Sequence, residues 1–197
     1  MGQIKRHPQV NPVRNIFLPF RKRDISKGAK LIIGFIFKEE IIFNKAKVIL
    51  ERKFGKIDFQ SQILSFSHTD YYAEEFGQDL KRKFISFQKL ITPQQLAGIK
   101  ILTNKIENYL SREGKRRINI DPGYLDLSKL ILATTKDYRH RIYLNKGIYA
   151  EVTLFYQGKS FQSWEWTYPD YRTPEYIAIF NQIRELYAQQ TKGNKTK

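Results

Sequence analysis

The sequence predicts an α+β fold, and three observations predict it. Short β-branched and aromatic runs alternate with segments whose apolar residues recur at helical spacing. Capping and turn residues stand at the boundaries between them. Its 197 residues, 41% hydrophobic and 27% charged, match a folded domain large enough to bury a core without metal or disulfide staples.

Leu31 to Phe37 (LIIGFIF) is the first expected strand. Residues 39–54 follow as a helix with Glu39 and Glu40 in its first turn, Arg52 and Lys53 in its last, and Gly55 beyond it. Ile42, Ala46, Ile49 and Leu50 share one face of that helix. Ile57 to Phe66 alternates with a slip of phase, so the expected strand there carries an irregularity. Lys83 to Leu90 is a third strand. Thr92-Pro93-Gln94-Gln95 opens a helix bearing Leu96, Ile99, Leu102, Ile106 and Leu110 at helical spacing, and Gly114 ends it. Arg116 to Ile120 is the fourth strand. The order β-α-β-β-α-β is the ferredoxin-like split β-α-β arrangement.

Beyond that core, Leu125 to Ala133 reads as a short helix, and three strands follow as an antiparallel meander. They are His140–Leu144, Ile148–Tyr156 and Phe161–Thr167, turning at Asn145-Lys146-Gly147 and Gly158-Lys159. A C-terminal helix starts at Thr173-Pro174 and runs through Ile177, Phe180, Ile183 and Tyr187. The expected organisation is a flexible basic extension over 1–29, one domain over 30–189 and a disordered basic tail over 190–197. Within the domain, 30–121 form the core and 122–189 the meander and last helix.

In the meander, a three-residue first turn sets Tyr143 opposite Tyr149 and Arg141 opposite Glu151. A two-residue second turn sets Glu151 beside Trp166 and Thr153 beside Trp164. One face then carries Tyr143, Tyr149, Trp164 and Trp166 around an Arg141–Glu151 pair. It is either a stacking wall for a base or core covered by the C-terminal helix. The other face, with Ile142, Ile148, Ala150, Val152 and Leu154, reads as core.

The net charge of +16 is concentrated at the ends of the chain. Residues 1–30 hold eight Lys/Arg and one acid, and 188–197 hold three Lys, which leaves +6 for the body. Such tails bind phosphates or are simply solvated. The start has no secretory apolar stretch and LIIGFIF is far short of the roughly 20 residues that span a bilayer, so a cytoplasmic protein without membrane association is expected.

Cys is absent, which excludes cysteine nucleophiles, thiolate zinc sites, iron–sulfur clusters and disulfides. No GxxxxGK[ST], GxGxxG, GxSxG or HExxH occurs. His7, His68 and His140 are too scattered to suggest a metal site. Chemistry-bearing residues gather instead in SHTDYY (67–72), RRINIDPGYL (116–125), TTKDYRHRIYL (134–144) and WTYPDYR (166–172). Asp121 and Asp137 are the candidate catalytic carboxylates, with Mg²⁺ a possible cofactor between them. Arg117, Asn119, Lys136 and His140 are candidate ligand-binding residues. Arg141, Glu151, Trp166 and Tyr168 complete that set. Asp121-Pro122-Gly123 also reads as an ordinary turn. Lys81, Arg82 and Lys83 with Arg116 and Arg117 would form a basic patch if their strands adjoin.

The segments DYY, LKRKF, RRINIDPGYL, KLILATTKDYRHRIYL, GIYAEVTL and WTYPDYRT, spread from about residue 31 to 187, resemble a bacterial domain-of-unknown-function family numbered four-four-one-six. The resemblance implies a small stand-alone cytoplasmic protein and brings no activity with it. The chain departs from the family at its start, where Val10–Lys27 reads as an insertion. Three functions remain in view: binding of a phosphate-containing ligand (nucleotide or RNA), an enzyme acting on such a ligand, and a protein-interaction module. The basic body interleaved with tyrosines favours the first.

Overall fold

The computed structural model describes residues 28–66 and 79–193. Strand β1 (Lys30–Phe37) is buried along its whole length. Leu31, Ile33, Phe35 and Phe37 enter one core and Ile32 another, because both faces of the strand are covered. Helix α1 (Glu40–Phe54) lays Ile42, Phe43, Ala46 and Leu50 on the first of these cores and ends at Gly55, whose φ of 91° suits glycine. The irregular strand resolves into β2 (Ile57–Gln60) and β3 (Leu64–Phe66), which pair with different parts of β4 (Leu80–Phe87). Gln95 accepts the Thr92 N–H at 2.8 Å ahead of helix α2 (Leu96–Tyr109). Strand β5 (Ile118–Leu125) then pairs with β1.

The antiparallel order β2-β4-β1-β5, with α1 and α2 on one face, is the ferredoxin-like core the sequence predicts. Two expectations at its edge are overturned. Asp121-Pro122-Gly123 is no turn: it lies within β5, opposite Gly34, Ile33 and Ile32. The expected helix over 125–133 is strand β6 (Lys129–Thr134). Leu130 and Ile131 point into different cores, so both faces of β6 are apolar and its short run lacks the alternation that marks a strand. Asp126 makes the β5–β6 turn by accepting the N–H groups of Ser128 (2.7 Å) and Lys129 (2.9 Å).

The meander forms as β7 (Ile142–Asn145), β8 (Ile148–Gln157) and β9 (Ser160–Ser163), extending the sheet in the order β5-β6-β8-β7. Tyr143 faces Tyr149 and Gln157 faces Ser160 as predicted, but β9 stops at Ser163, short of both tryptophans. A bulge puts Leu154 opposite Leu130 and Val152 opposite Ile131, leaving Thr153 over. The side chains of β8 therefore change faces at Thr153. Ile148 and Val152 meet α2, whereas Leu154 meets the opposite core, and Ile142, expected inside, is 68% exposed on the edge strand.

Helix α3 (Pro174–Gly193) closes the second face, setting Tyr176, Phe180 and Ile183 on Phe84, Leu125 and Phe161. Neither tryptophan belongs to the core that α3 closes, and Trp164 remains 36% exposed. Lys30 ties α3 down. Its buried ammonium donates to Asp58, to the Phe87 carbonyl (3.2 Å) and to Gln190 Oε1 (2.7 Å). Lys30→Met is expected to lower the unfolding free energy by about 2 kcal/mol in urea titrations, because Asp58 loses its counter-charge but keeps some solvent. Among the described residues no helix is long and apolar enough to cross a membrane.

Candidate functional site

Strands β5 and β6 pair only from Gly123 to Leu125 and then part. Pro122 is where they separate, since proline has no N–H with which to continue a ladder. Gly123 lets them meet at all: a Cβ there would lie 2.4 Å from the Ile131 carbonyl oxygen. Gly123→Ala is expected to cost about 2 kcal/mol by forcing the strands apart, read as a lowered thermal midpoint.

The fork opens into a cleft of about 620 Å³. On the β5 side, α2 takes the place of the missing strand. Glu107 Oε1 accepts the Ile120 N–H at 2.6 Å, while Lys100 Nζ donates to the Ile120 carbonyl (3.1 Å) and to Asp121 Oδ1 (3.2 Å). Asn119 donates its amide to Asp121 Oδ2 and accepts from Arg116 Nη1 at 3.3 Å. Burial pushes the Glu107 carboxyl above its usual range, against the pull of Lys100 and the Ile120 N–H.

On the β6 side stand Thr134, Thr135 and Lys136. Arg141 holds the loop that follows: Nε donates to Glu151 Oε2 (3.0 Å), Nη1 to the Lys136 carbonyl (3.0 Å) and Nη2 to Tyr168 Oη (2.8 Å). Burial works against the Arg141 cation, but its bonds to Glu151 and Tyr168 outweigh that and raise its pKa. Ile36, Phe66, Arg82, Asp170 and Tyr171 line it as well. Among the described residues, five basic side chains (Arg82, Lys100, Arg116, Lys136, Arg141) and four acidic ones (Glu107, Asp121, Glu151, Asp170) thus surround one cavity.

Of the predicted site residues, Asn119, Asp121, Lys136, Arg141, Glu151 and Tyr168 line this cleft. His140 and Trp166 stand behind it. His140 Nε2 lies 3.1 Å from Glu151 Oε2, and its ring stacks on Trp166, which donates to the Val152 carbonyl at 3.1 Å. Arg117 and Asp137 are elsewhere: Arg117 forks onto Glu39 beside α1, and Asp137 is exposed on the loop outside the cleft wall. Asp121 and Asp137 are therefore not brought together. The expected basic patch does not form either, because β1 separates β4 from β5 and Arg82 is buried. SHTDYY (67–72) lies outside the described residues. Lys100, Asn104 and Glu107 were missed, and Arg82 was expected only in the basic patch. The first three recur at i, i+4 and i+7, a polar stripe on α2 that could have marked a second functional face. Among the described residues no group of three or more His, Asp or Glu is placed to hold a metal ion.

Fold and site together define a ferredoxin-like α+β protein with a charge-lined cleft at a strand fork. The chain belongs to the domain-of-unknown-function family DUF4416, whose model matches residues 27–187. No curated protein and no solved structure matches it.

Proposed function

We propose that this chain is a cytoplasmic protein that binds a phosphate-containing ligand of mononucleotide size in the β5–β6 fork. The observation that carries this reading is the cavity itself, about 620 Å³ with polar groups converging from two walls. Thr134, Thr135 and Lys136 offer hydroxyls and an ammonium to a phosphoryl group, with the Arg141 cation behind them. Among the described residues the near balance of five bases and four acids favours a discrete small molecule over RNA, whose binding grooves carry an excess of positive charge.

The test begins with the purified protein, washed in high salt and denatured. A discrete nucleotide in the released material, found by absorbance and mass spectrometry, supports the reading. Heterogeneous RNA removed by salt would instead assign phosphate binding to the basic tails. In calorimetric titrations with ribonucleoside 5′-monophosphates, Lys136→Ala is expected to weaken binding by about tenfold. Unchanged affinity would remove the β6 wall from the site.

A catalytic reading has one observation in its favour: Glu107, a carboxyl held toward its protonated form, lies in the same cavity as Asp121, which is salt-bridged to Lys100. A carboxyl raised in this way is suited to act as a general acid. Turnover of a bound nucleotide that disappears in Glu107→Gln, with binding retained, would establish it.

A further inference from the structure

Resting on the reading of the fork as a nucleotide site, we infer that Asp121 fixes the orientation and class of the ligand: the phosphoryl group sits on the β6 wall and the ribose diol on the β5 wall. The two walls differ in kind. The β6 wall presents two hydroxyls and the Lys136 ammonium. The β5 wall carries a carboxylate instead: Lys100 donates to the Ile120 carbonyl and to Asp121 Oδ1, and Arg116 Nη1 donates to Asn119. That wall therefore meets a ligand through the Asp121 carboxylate.

An ionised carboxylate is an acceptor only, with about four lone-pair positions. Lys100 takes one on Oδ1 and Asn119 one on Oδ2, and the side chain keeps 27% of its surface exposed at the cleft. What remains can be filled by donors and repels an anion. A vicinal diol supplies two donors in the spacing of a carboxylate, the chemistry by which acidic residues recognise ribose in other nucleotide sites. An RNA strand fits this less well than a free nucleotide, because its chain linkages consume the 3′-hydroxyl of each ribose.

The full-length protein would be titrated calorimetrically with the four ribonucleoside 5′-monophosphates, their 2′-deoxy counterparts and the matching nucleosides. The wild type is expected to prefer ribose over deoxyribose by about tenfold or more, the worth of a hydrogen bond to a charged group. Asp121→Asn should reduce that ratio to about twofold while leaving the difference between nucleotide and nucleoside intact. Lys136→Ala should do the reverse. Equal wild-type affinity for ribo and deoxy forms would overturn the inference and leave phosphate binding standing, and needs no variant to fold. A ratio unchanged in Asp121→Asn would overturn it as well. Failure of every nucleotide to bind the wild type would overturn the underlying reading and this inference together.

Discussion

Glu151→Gln is expected to lower the unfolding free energy by about 4 kcal/mol, the loss typical of removing one partner from a buried ion pair. Glu151 is 3% exposed, and its Oε2 serves both Arg141 Nε at 3.0 Å and His140 Nε2 at 3.1 Å. Glutamine preserves the shape but not the charge, so the Arg141 guanidinium, 7% exposed, loses its counter-ion. The unfolded chain regains water on both groups and is thereby favoured. Urea titrations should show a lower midpoint at unchanged slope. Adding Arg141→Met to Glu151→Gln should cost less than the two single changes combined, because no charge is then left buried without its counter-ion. Strict additivity would show that the pair does not act as a unit.

Arg82→Ala is expected to cost a similar amount, about 4 kcal/mol, whereas Arg82→Met costs about 2 kcal/mol. Arg82 is 1% exposed, and its guanidinium carbon lies 4.7 Å from the centre of the Phe84 ring, 5.2 Å from Tyr171 and 5.6 Å from Tyr176. Nη2 donates to Tyr171 Oη at 2.6 Å and lies 3.9 Å from Asp170. Alanine removes the packing and the cation–π contacts and leaves a void among rings. Methionine fills most of that volume but takes this cation from Asp170, so a deficit as large as that of alanine would show that the charge, not the packing, holds the rings. The tyrosines supply a second readout. Burial pushes Tyr176 up to about 12 and Tyr171 well above its ordinary value, and the Arg82 charge pulls both back. In Arg82→Met their ionisation should move to still higher pH in absorbance titrations. A folded-state pKa above the unfolded one gives stability that is complete below pH 10 and is lost as pH rises through the folded value. Alkaline unfolding should therefore set in between pH 10 and about 12.

The core was legible because its signals are local. LIIGFIF, the Thr92–Gln95 cap and the apolar spacing of α2 each act within a few residues, and the split β-α-β order follows from their sequence. What was missed depends on partners distant in the chain. Leu130 and Ile131 are buried by different helices, so β6 carries no alternation to read. Asp121-Pro122-Gly123 has turn residues, yet here proline ends a ladder and glycine admits a neighbouring backbone. The face change at Thr153 comes from a bulge that no single strand announces. The candidate site was legible on the β5, β6 and β8 walls, through Asn119, Asp121, Lys136, Arg141 and Glu151. Its α2 wall was hidden because Lys100 and Glu107 belong to it only through the unpaired edge of Ile120.

The two tryptophans of the chain, Trp164 and Trp166, stack 5.0 Å apart with an interplanar angle of 8°, and Trp166 stacks in turn on His140. All indole emission thus originates at one corner, separated from the cleft by His140, Glu151 and Arg141. Coupling between the stacked indoles should give that corner a near-ultraviolet circular dichroism signal of its own. The protein carries its own optical gauge of the site, usable without labels. The same placement means that a melting curve followed by indole fluorescence tracks the β8–β9 corner, while the loosening of α1 and α2 must be followed by another probe.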